Sequence, residues 1–405
     1  MRRLAFALLT LSPMAMADEP APTWNQEVAP IFQRRCQACH REGQAAPFSL
    51  GTRAEAAEWA EMIAEVVKDR RMPPWHADPA VGTFANARRL DDAEQATILR
   101  WIAAGLPEGD PASPPPAVEW PQGWHIGQPD AIVGPPRTFK VPAKGVLQYQ
   151  YFQVETDFMA DRWVDAMEVR VTAAEVVHHV LVFAKYPDGT HERMHGGLKG
   201  YWASGLPGDM VLPFPPGMAK RLPRGTALIF QIHYTPNGTA AEDRTELALK
   251  FAPEGAPRRE LRTVSLFSTD FRIPPHAKAH AVRAERRFKE DTILFGMLPH
   301  MHLRGKSFTY VLRHPDGKEE PLLSIPAYDF NWQNTYRLAE PRFIPAGSVV
   351  IGTAVYDNSS DNPANPDPAR DVGFGEQTWD EMMIGYMDVV TATAEERAAW
   401  EAREK

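Results

Sequence analysis

The sequence predicts a multidomain protein in which a small all-α domain precedes two all-β antiparallel sandwich domains. Residues 18–110 contain two segments whose apolar residues recur at helical spacing, AEAAEWAEMIAEVVKD and LDDAEQATILRWIAAG. Beyond about residue 120, short runs rich in Val, Tyr, Phe, Thr and Leu alternate with Pro, Gly, Asn and Asp turns, a pattern typical of antiparallel sandwiches. The 38 prolines also favour β-rich domains with long connections over helical bundles.

The chain divides into six predicted segments. In order, they are an export signal over 1–17, the helical domain over 18–110, a proline-rich linker over 111–122, a sandwich domain over 123–258, a second sandwich domain over 259–392, and a charged helical tail over 393–405. The linker is predicted from PEGDPASPPPAVEWPQG, whose prolines stiffen the chain.

The first residues predict export. A basic MRR start precedes the apolar run LAFALLTL, and Ala15, Met16 and Ala17 form a small-residue cleavage site. That run is too short to span a bilayer, and no later stretch does so. We therefore expect a periplasmic or secreted protein without a membrane span. The net charge of −8 and the lack of Lys/Arg runs argue against a nucleic-acid partner.

The two cysteines of the chain, Cys36 and Cys39, lie in the pentapeptide CQACH. C-x-x-C-H is the attachment motif of a covalent c-type haem, in which the histidine, here His40, becomes an axial iron ligand. A lone disulfide is the alternative, but it leaves His40 unexplained. The motif therefore predicts one covalently bound haem c.

The sixth iron ligand is predicted on a later loop. RRMPPWHADP supplies Met72, held between prolines, and Met/His ligation gives a potential suited to electron transfer. His76 competes closely, whereas Met62 is a weaker candidate because it lies within a predicted helix. Together with its RWIAAGLP ending, this part of the chain resembles a class I cytochrome c domain.

Three histidines in the first β region are candidate metal ligands. EVVHHVLVF places His178 and His179 side by side in an apolar strand, and IFQIHY adds His233. Adjacent strand residues face opposite sides, so binding one metal ion requires a bulge or kink. The alternative is one inward and one outward histidine.

In the second β region, MLPHMHLRGK places His300 and His302 at i and i+2, on the same face of a predicted strand. TWDEMMIGYMDVV offers Met382, Met383 and Met387 as a third ligand. A thioether favours Cu(I), whereas three histidines suit copper or zinc. Because both cysteines are committed to haem, any copper lies outside the blue-copper class.

The order of these motifs, HH, QIHY, HMH and DEM, is distinctive. From about residue 120 to 390 the chain resembles the copper type II, ascorbate-dependent monooxygenases, the family of dopamine β-monooxygenase and the peptidylglycine α-hydroxylating monooxygenase. The resemblance implies two jelly-roll-like sandwich domains, each holding one type 2 copper. It assigns an electron-transferring copper to His178, His179 and His233, and an oxygen-binding copper to His300, His302 and Met382.

The resemblance implies hydroxylation of a C–H bond of a small organic substrate by O2. Electrons would come through the haem, from a soluble cytochrome or cupredoxin, or from ascorbate. Tyr386 matches a family tyrosine, but Leu298 replaces the carboxylate-gripping arginine of the peptide-amidating branch, and Ile384 replaces an asparagine. A glycine-extended peptide is therefore disfavoured as substrate. The alternative function is a non-catalytic periplasmic haem or copper protein.

Overall fold

The structure, a computed structural model, describes residues 20–120, 123–189, 200–206, 214–256 and 258–403. The predicted export signal over 1–17 lies outside these residues. The helical elements are a π-helical turn at Trp24–Val28 followed by α1 (Ala29–Arg35), α2 (Arg53–Glu58), α3 (Ala60–Lys68), α4 (Asp92–Ala103) and α5 (Ala394–Arg403). No helix among the described residues is long and apolar enough to cross a membrane.

The strands of the first β half are β1 (Ala131–Val133), β2 (Phe139–Val141), β3 (Gln150–Glu155), β4 (Arg162–Arg170), β5 (Val177–Lys185), β6 (Tyr201–Gly205), β7 (Met218–Leu222), β8 (Ala227–Tyr234), β9 (Ala241–Asp243), β10 (Glu246–Phe251) and β11 (Arg259–Glu260). Those of the second half are β12 (Arg262–Ser268), β13 (Arg272–Ile273), β14 (His280–Arg287), β15 (Thr292–His300), β16 (Gly305–Arg313), β17 (Glu319–Ile325), β18 (Tyr336–Ile344), β19 (Val349–Tyr356), β20 (Val372–Gly373) and β21 (Met383–Thr391).

The N-terminal helices pack around an apolar core of their own. Asp91 caps α4 in a capping box with Glu94. The Trp24 ring lies 5.5 Å from that of Trp101, and Phe32 packs edge-on against Trp24. These contacts join the π-helical turn, α1 and α4. The segment between α3 and α4 packs instead against the second β half.

Each β half consists of two main sheets around a shared core. In the first half, the sheet β1-β10-β4-β7-β11 faces the sheet β3-β8-β5-β6. In the second half, β12-β21-β15-β18 faces β14-β19-β16-β17. Strand pairing in the two halves is antiparallel except between β11 and β7, which are parallel. The structure thus confirms that the regular structure is mostly β-sheet, arranged as antiparallel sheets in a sandwich-like fold.

The three parts contact one another. Trp75 and Ala77, which follow the Met72 loop, are buried in the core of the second β half, where the Trp75 ring lies 4.8 Å from Tyr336. The two β halves meet where Leu206 of the first half joins an apolar cluster formed by strands β15 and β21. The histidines lie close to this junction.

Candidate metal centres

The first histidine cluster forms on the paired strands β5 and β8. His179 is the direct cross-strand neighbour of His233, and the register shifts between Val177 and His179, so His178 is the extra residue. This irregularity is the feature that two adjacent strand histidines need in order to face one point. One nitrogen from each of the three rings lies within 4.8 Å of the others. The structure therefore brings His178, His179 and His233 together.

The chemistry of this cluster fits a metal ion. The Nδ1 atoms of His178 and His179 are 2.9 Å apart. The Nε2 atoms of both, and Nδ1 of His233, are buried and have no hydrogen-bond partner among the described residues. Burial lowers the pKa of all three rings, that of His233 to about 3. The rings are therefore neutral at pH 7, which is the metal-binding form of imidazole.

The second cluster lies where β15 ends. His300 is the last residue of the strand, whereas His302 begins a turn in which its carbonyl accepts from the Gly305 N–H, so the prediction that both histidines lie on the strand is wrong for His302. Met301 between them is buried in the core of the second half, whereas the two imidazole ring centroids are 5.1 Å apart. The alternation of side chains thus brings the two rings together.

Outer hydrogen bonds fix both rings of the second cluster. His300 donates from Nδ1 to Gln333 Oε1 at 2.6 Å, and His302 donates from Nδ1 to the Asp380 carbonyl at 3.3 Å. Because each acceptor is an oxygen, the proton lies on Nδ1 and Nε2 carries the lone pair. His302 Nε2 is buried without a partner among the described residues. Such outer partners are typical of metal-binding histidines.

The DEM segment, residues 380–382, forms hydrogen bonds with the backbone of the second cluster. The Glu381 carboxylate accepts from the backbone N–H of His302 at 2.9 Å and of Arg304 at 2.6 Å, and burial raises its pKa to about 8. Met382 follows immediately and is buried, and its carbonyl accepts from the Tyr356 hydroxyl at 2.6 Å. The segment carrying the predicted thioether ligand is therefore anchored beside His302.

The structure separates the three candidate methionines. Met382 belongs to the apolar cluster that includes Ile384, the cross-strand neighbour of His300. Met383 and Met387 are instead buried in the core between the two sheets of the second half. Of the three, Met382 is the one that clusters with residues on the His300 face of β21.

Tyr386 lies further along the same face of β21. It pairs with Leu298 across the strands, is buried, and stacks on Tyr201 of the first half with ring centroids 4.5 Å apart. Leu298 and Ile384 belong to the same apolar cluster. The surface next to His300 is therefore apolar at the two positions where the peptide-amidating branch has polar groups.

Two aromatic side chains lie between the histidine clusters. The Tyr149 ring is 4.8 Å from His233 and 6.3 Å from His302. Phe330 stacks on His178 at 4.9 Å and lies 6.0 Å from His302. The clusters of the two β halves are thus separated by single aromatic rings. Sequence reasoning did not identify Tyr149, Phe330 or Gln333, because no motif marks residues that approach a site only through the fold.

The CQACH segment forms a tight turn after α1. The His40 amide donates to the Cys36 carbonyl at 2.9 Å, and His40 Nδ1 lies 3.2 Å from the Phe48 carbonyl. That contact leaves His40 Nε2 for a ligand. Cys36 and Cys39 are unpaired thiols, and burial raises the pKa of Cys36 to about 12. The residues of this turn fit a covalently attached haem.

The sixth-ligand candidates lie on different surfaces. Met72 is half-buried and lines an open cleft of about 400 Å³ with Trp75, whereas Met62 is 49% exposed on α3. His76 is half-buried near Asp329, and burial lowers its pKa. No hydrogen bond or ring contact within the described ranges joins Met72 or His76 to the haem-attachment turn. The choice between them stays a prediction.

Comparisons with known proteins add little. No family model matches the chain, and no curated protein matches its sequence. Among solved structures, the stem and receptor-binding domain of the spike protein P1 from bacteriophage PM2 is similar over 67% of this chain and 100% of its own, with 8% identity and a TM-score of 0.16. The infectious bursal disease virus Gx strain structure (66% of this chain, 73% of its own, 9% identity) has a TM-score of 0.19. The CBM22-1-CBM22-2 tandem domain of Paenibacillus barcinonensis Xyn10C (67% and 96%, 8% identity) has a TM-score of 0.16. These scores carry no argument about fold or function.

Proposed function

We propose that the protein is an exported copper-dependent monooxygenase that hydroxylates a C–H bond of a small organic substrate with O2. The observation that supports it most strongly is the pairing of two histidine clusters with unpartnered, buried nitrogens. Copper held there would supply the one-electron chemistry that O2 reduction requires. His178, His179 and His233 would hold one type 2 copper, and His300, His302 and Met382 the other.

The residues around the second cluster would orient its ligands. Gln333 and the Asp380 carbonyl hold the two imidazole rings in one tautomer, so no ring rotation is needed when the ion binds. The soft thioether of Met382 would favour the reduced ion, the state that reacts with O2. Tyr149 and Phe330 are both buried and keep water away from the space between the clusters.

The contacts of the Met72 loop support an electron supply from the haem. Asn334 donates from Nδ2 to the Pro74 carbonyl at 3.4 Å, two residues after Met72. The next residue toward the N-terminus, Gln333, accepts the hydrogen bond from His300. A short chain of contacts therefore links the loop that carries the predicted sixth haem ligand to the second histidine cluster. A soluble cytochrome, a cupredoxin or ascorbate would reduce the haem or the coppers.

The test is the metal content of periplasmically matured protein, with an electron paramagnetic resonance spectrum of the oxidised state. We expect about two coppers per haem and two non-blue type 2 signals. His178→Ala should remove one signal and His300→Ala the other, whereas the exposed His276→Ala should retain both. One copper or none after copper loading, or tightly held zinc, would contradict the proposal.

A non-catalytic haem and copper carrier is the second candidate. It is favoured by the close apolar cover around His300, formed by residues such as Leu298 and Ile384. The two functions differ in their reaction with O2. Copper-loaded, reduced protein that consumes O2 without hydroxylating any compound in a broad substrate screen would support the carrier, whereas coupled O2 consumption and product formation would exclude it.

A further inference from the structure

A cavity of about 110 Å³ lies between the two β halves, beside the apolar cluster near His300, and is partly open to solvent. Tyr201 and Trp202 of the first half form one side. Leu298 and Tyr386 of the second half form part of the other side. This cavity lies on the same sheet face as His300. Leu298 is two residues before His300 on β15, and Tyr386 is two residues after Ile384, the cross-strand neighbour of His300 on β21.

The floor of the cavity is a polar row that crosses four strands. Thr263 pairs with Asp388, Asp388 with Gly296, and Gly296 with Arg337, so these residues lie side by side across the sheet. Gly296 has no side chain, so no side chain stands between Asp388 and Arg337 in this row. A Cβ atom at Gly296 would come within 3.2 Å of the Tyr336 carbonyl, so the backbone there is closely packed.

A buried ammonium group lies above this row. Lys220, of the first half, is 4% exposed and donates from Nζ to the Trp202 carbonyl at 2.6 Å and to Thr263 Oγ1 at 2.9 Å. Thr263 in turn donates to Asp388 Oδ1 at 2.5 Å. An ammonium group has three N–H donors, and the third has no hydrogen-bond acceptor among the described residues; the Tyr201 ring centroid lies 6.0 Å from Nζ. Buried charges are normally paired, so this arrangement leaves capacity for an anion.

Arg337 adds a second positive charge. It is half-buried, and within the described ranges its guanidinium group forms no hydrogen bond or ion pair. Glu168 also lines the cavity, but its carboxylate is already bound by Arg170 at 2.7 Å and by His125 at 2.9 Å. Lys220 and Arg337 carry two positive charges, Asp388 offsets one of them, and Glu168 is offset by Arg170, which leaves one positive charge around the cavity for an anion to balance.

We propose that this cavity binds the carboxylate of a small organic acid. The carboxylate lies between Lys220 and Arg337, where a guanidinium fork can form two parallel hydrogen bonds. The apolar part of the acid packs against Tyr386 and Leu298 and points along the strands toward His300. The cavity, about 110 Å³, is smaller than the roughly 150 Å³ that admits benzene, so it limits the acid to a small one whose ring or alkyl group extends partly through the open side.

The inference rests on the proposed function only in naming the acid as the substrate. Binding to copper-depleted protein is independent of copper chemistry. If the protein binds the acid but no copper, the acid-binding site is supported and the monooxygenase function is contradicted. If the protein binds two coppers but not the acid, the monooxygenase function is supported and the acid-binding site is contradicted.

The test compares phenylacetate with its neutral isostere phenylacetamide by isothermal titration calorimetry. The full-length haem protein is used in copper-depleted and copper-loaded forms at pH 7. We expect phenylacetate to bind at least tenfold more tightly than phenylacetamide. Arg337→Gln should abolish that preference, because it removes the free guanidinium without breaking any ion pair in the described part of the chain.

Arg283→Gln is the matched control, since it removes the same charge from the exposed face of β14, where Arg283 pairs with Glu285. It should leave the preference unchanged. A melting temperature within a few degrees of the parent protein would show that Arg337→Gln is folded. Equal binding of acid and amide, absence of binding by both, or an Arg337→Gln variant that keeps the preference would overturn the proposal.

Discussion

The two histidine clusters are built in different ways. The first contains three histidines that are neighbours in one sheet, and its rings contact one another and aromatic side chains. The second contains two histidines at the end of one strand, and distant residues hold both rings in place: Gln333 and the Asp380 carbonyl. One cluster is organised by strand pairing and the other by long-range hydrogen bonds.

This difference indicates how each site responds to change. In the first cluster the ligands depend on the irregularity at His178 and on one another, so loss of any histidine should empty the site. In the second cluster, Gln333 and the Asp380 carbonyl fix the orientation of the two rings. Substitution of such a residue, which does not itself contact the metal, should therefore weaken copper binding. The predictions below test this contrast, beginning with the largest expected effect.

Acidification should destabilise the copper-free protein through both clusters. The pKa of His233 is lowered to about 3 and that of His300 to about 4, against 6.5 in the unfolded chain. The unfolded chain therefore binds more protons between about pH 4 and 6.5, and the free energy of unfolding falls as the pH falls. Between pH 7 and 5 each residue should account for about 2 kcal/mol. Urea unfolding at several pH values measures this.

Two variants localise that effect. His233→Gln and His300→Gln should each reduce the acid-induced loss of stability, whereas His280→Gln, on β14 in the other sheet of the second half, should not. If only one of the two cluster variants has an effect, the histidine of the other cluster is protonated in the folded protein, and the two clusters are not equally buried.

Gln333→Leu should weaken copper binding at the second site alone. Loss of the 2.6 Å hydrogen bond frees the His300 ring to rotate, and loss of an outer partner typically lowers metal affinity about 10- to 100-fold. Competition with a chelator, followed by electron paramagnetic resonance, distinguishes the two sites. The control is Gln153→Leu, at an exposed position on β3. Equal weakening of both sites would mean that the clusters bind metal as one unit.

Met382→Leu should lower the affinity of the second site for Cu(I), by roughly tenfold (about 1.4 kcal/mol), and affect Cu(II) less, because the thioether is a soft ligand. Met383→Leu is the matched control, since the neighbouring methionine is buried in the core. It should cost less than about 1.5 kcal/mol of stability and leave both coppers bound. Equal Cu(I) affinities of the two variants would exclude Met382 as a ligand.

Tyr149→Phe should have the smallest effect. The Tyr149 hydroxyl is buried and has no partner in the described structure, so its removal should leave stability unchanged or raise it by about 1 kcal/mol. Tyr328→Phe is the contrasting control, because the Tyr328 hydroxyl donates to the Met301 carbonyl at 2.9 Å; it should cost about 1 kcal/mol. Loss of copper from both sites in Tyr149→Phe would show that this hydroxyl takes part in binding.

The sequence predicted features that depend on neighbouring residues. Helical spacing located α4, and the short runs rich in Val, Tyr, Phe, Thr and Leu between turn residues located strands of both β halves. The requirement for a bulge at His178 and His179 was also correct, because the pleat of a strand fixes where adjacent side chains point. The prediction that His302 lies on the same strand as His300 was wrong, because β15 ends at His300 and the His302 carbonyl accepts from the Gly305 N–H in a turn.

By itself, the sequence determined the local chemistry: a C-x-x-C-H turn, three histidines on two apolar strands, and an H-x-H pair. Tertiary structure alone decided that Tyr149 and Phe330 lie between the clusters and that Gln333 holds the His300 ring. It also placed Lys220 of one half and Arg337 of the other around one cavity. The reason is physical. Ligand type and strand alternation are set by adjacent residues, whereas ring orientation, burial and charge balance depend on groups far away in the chain.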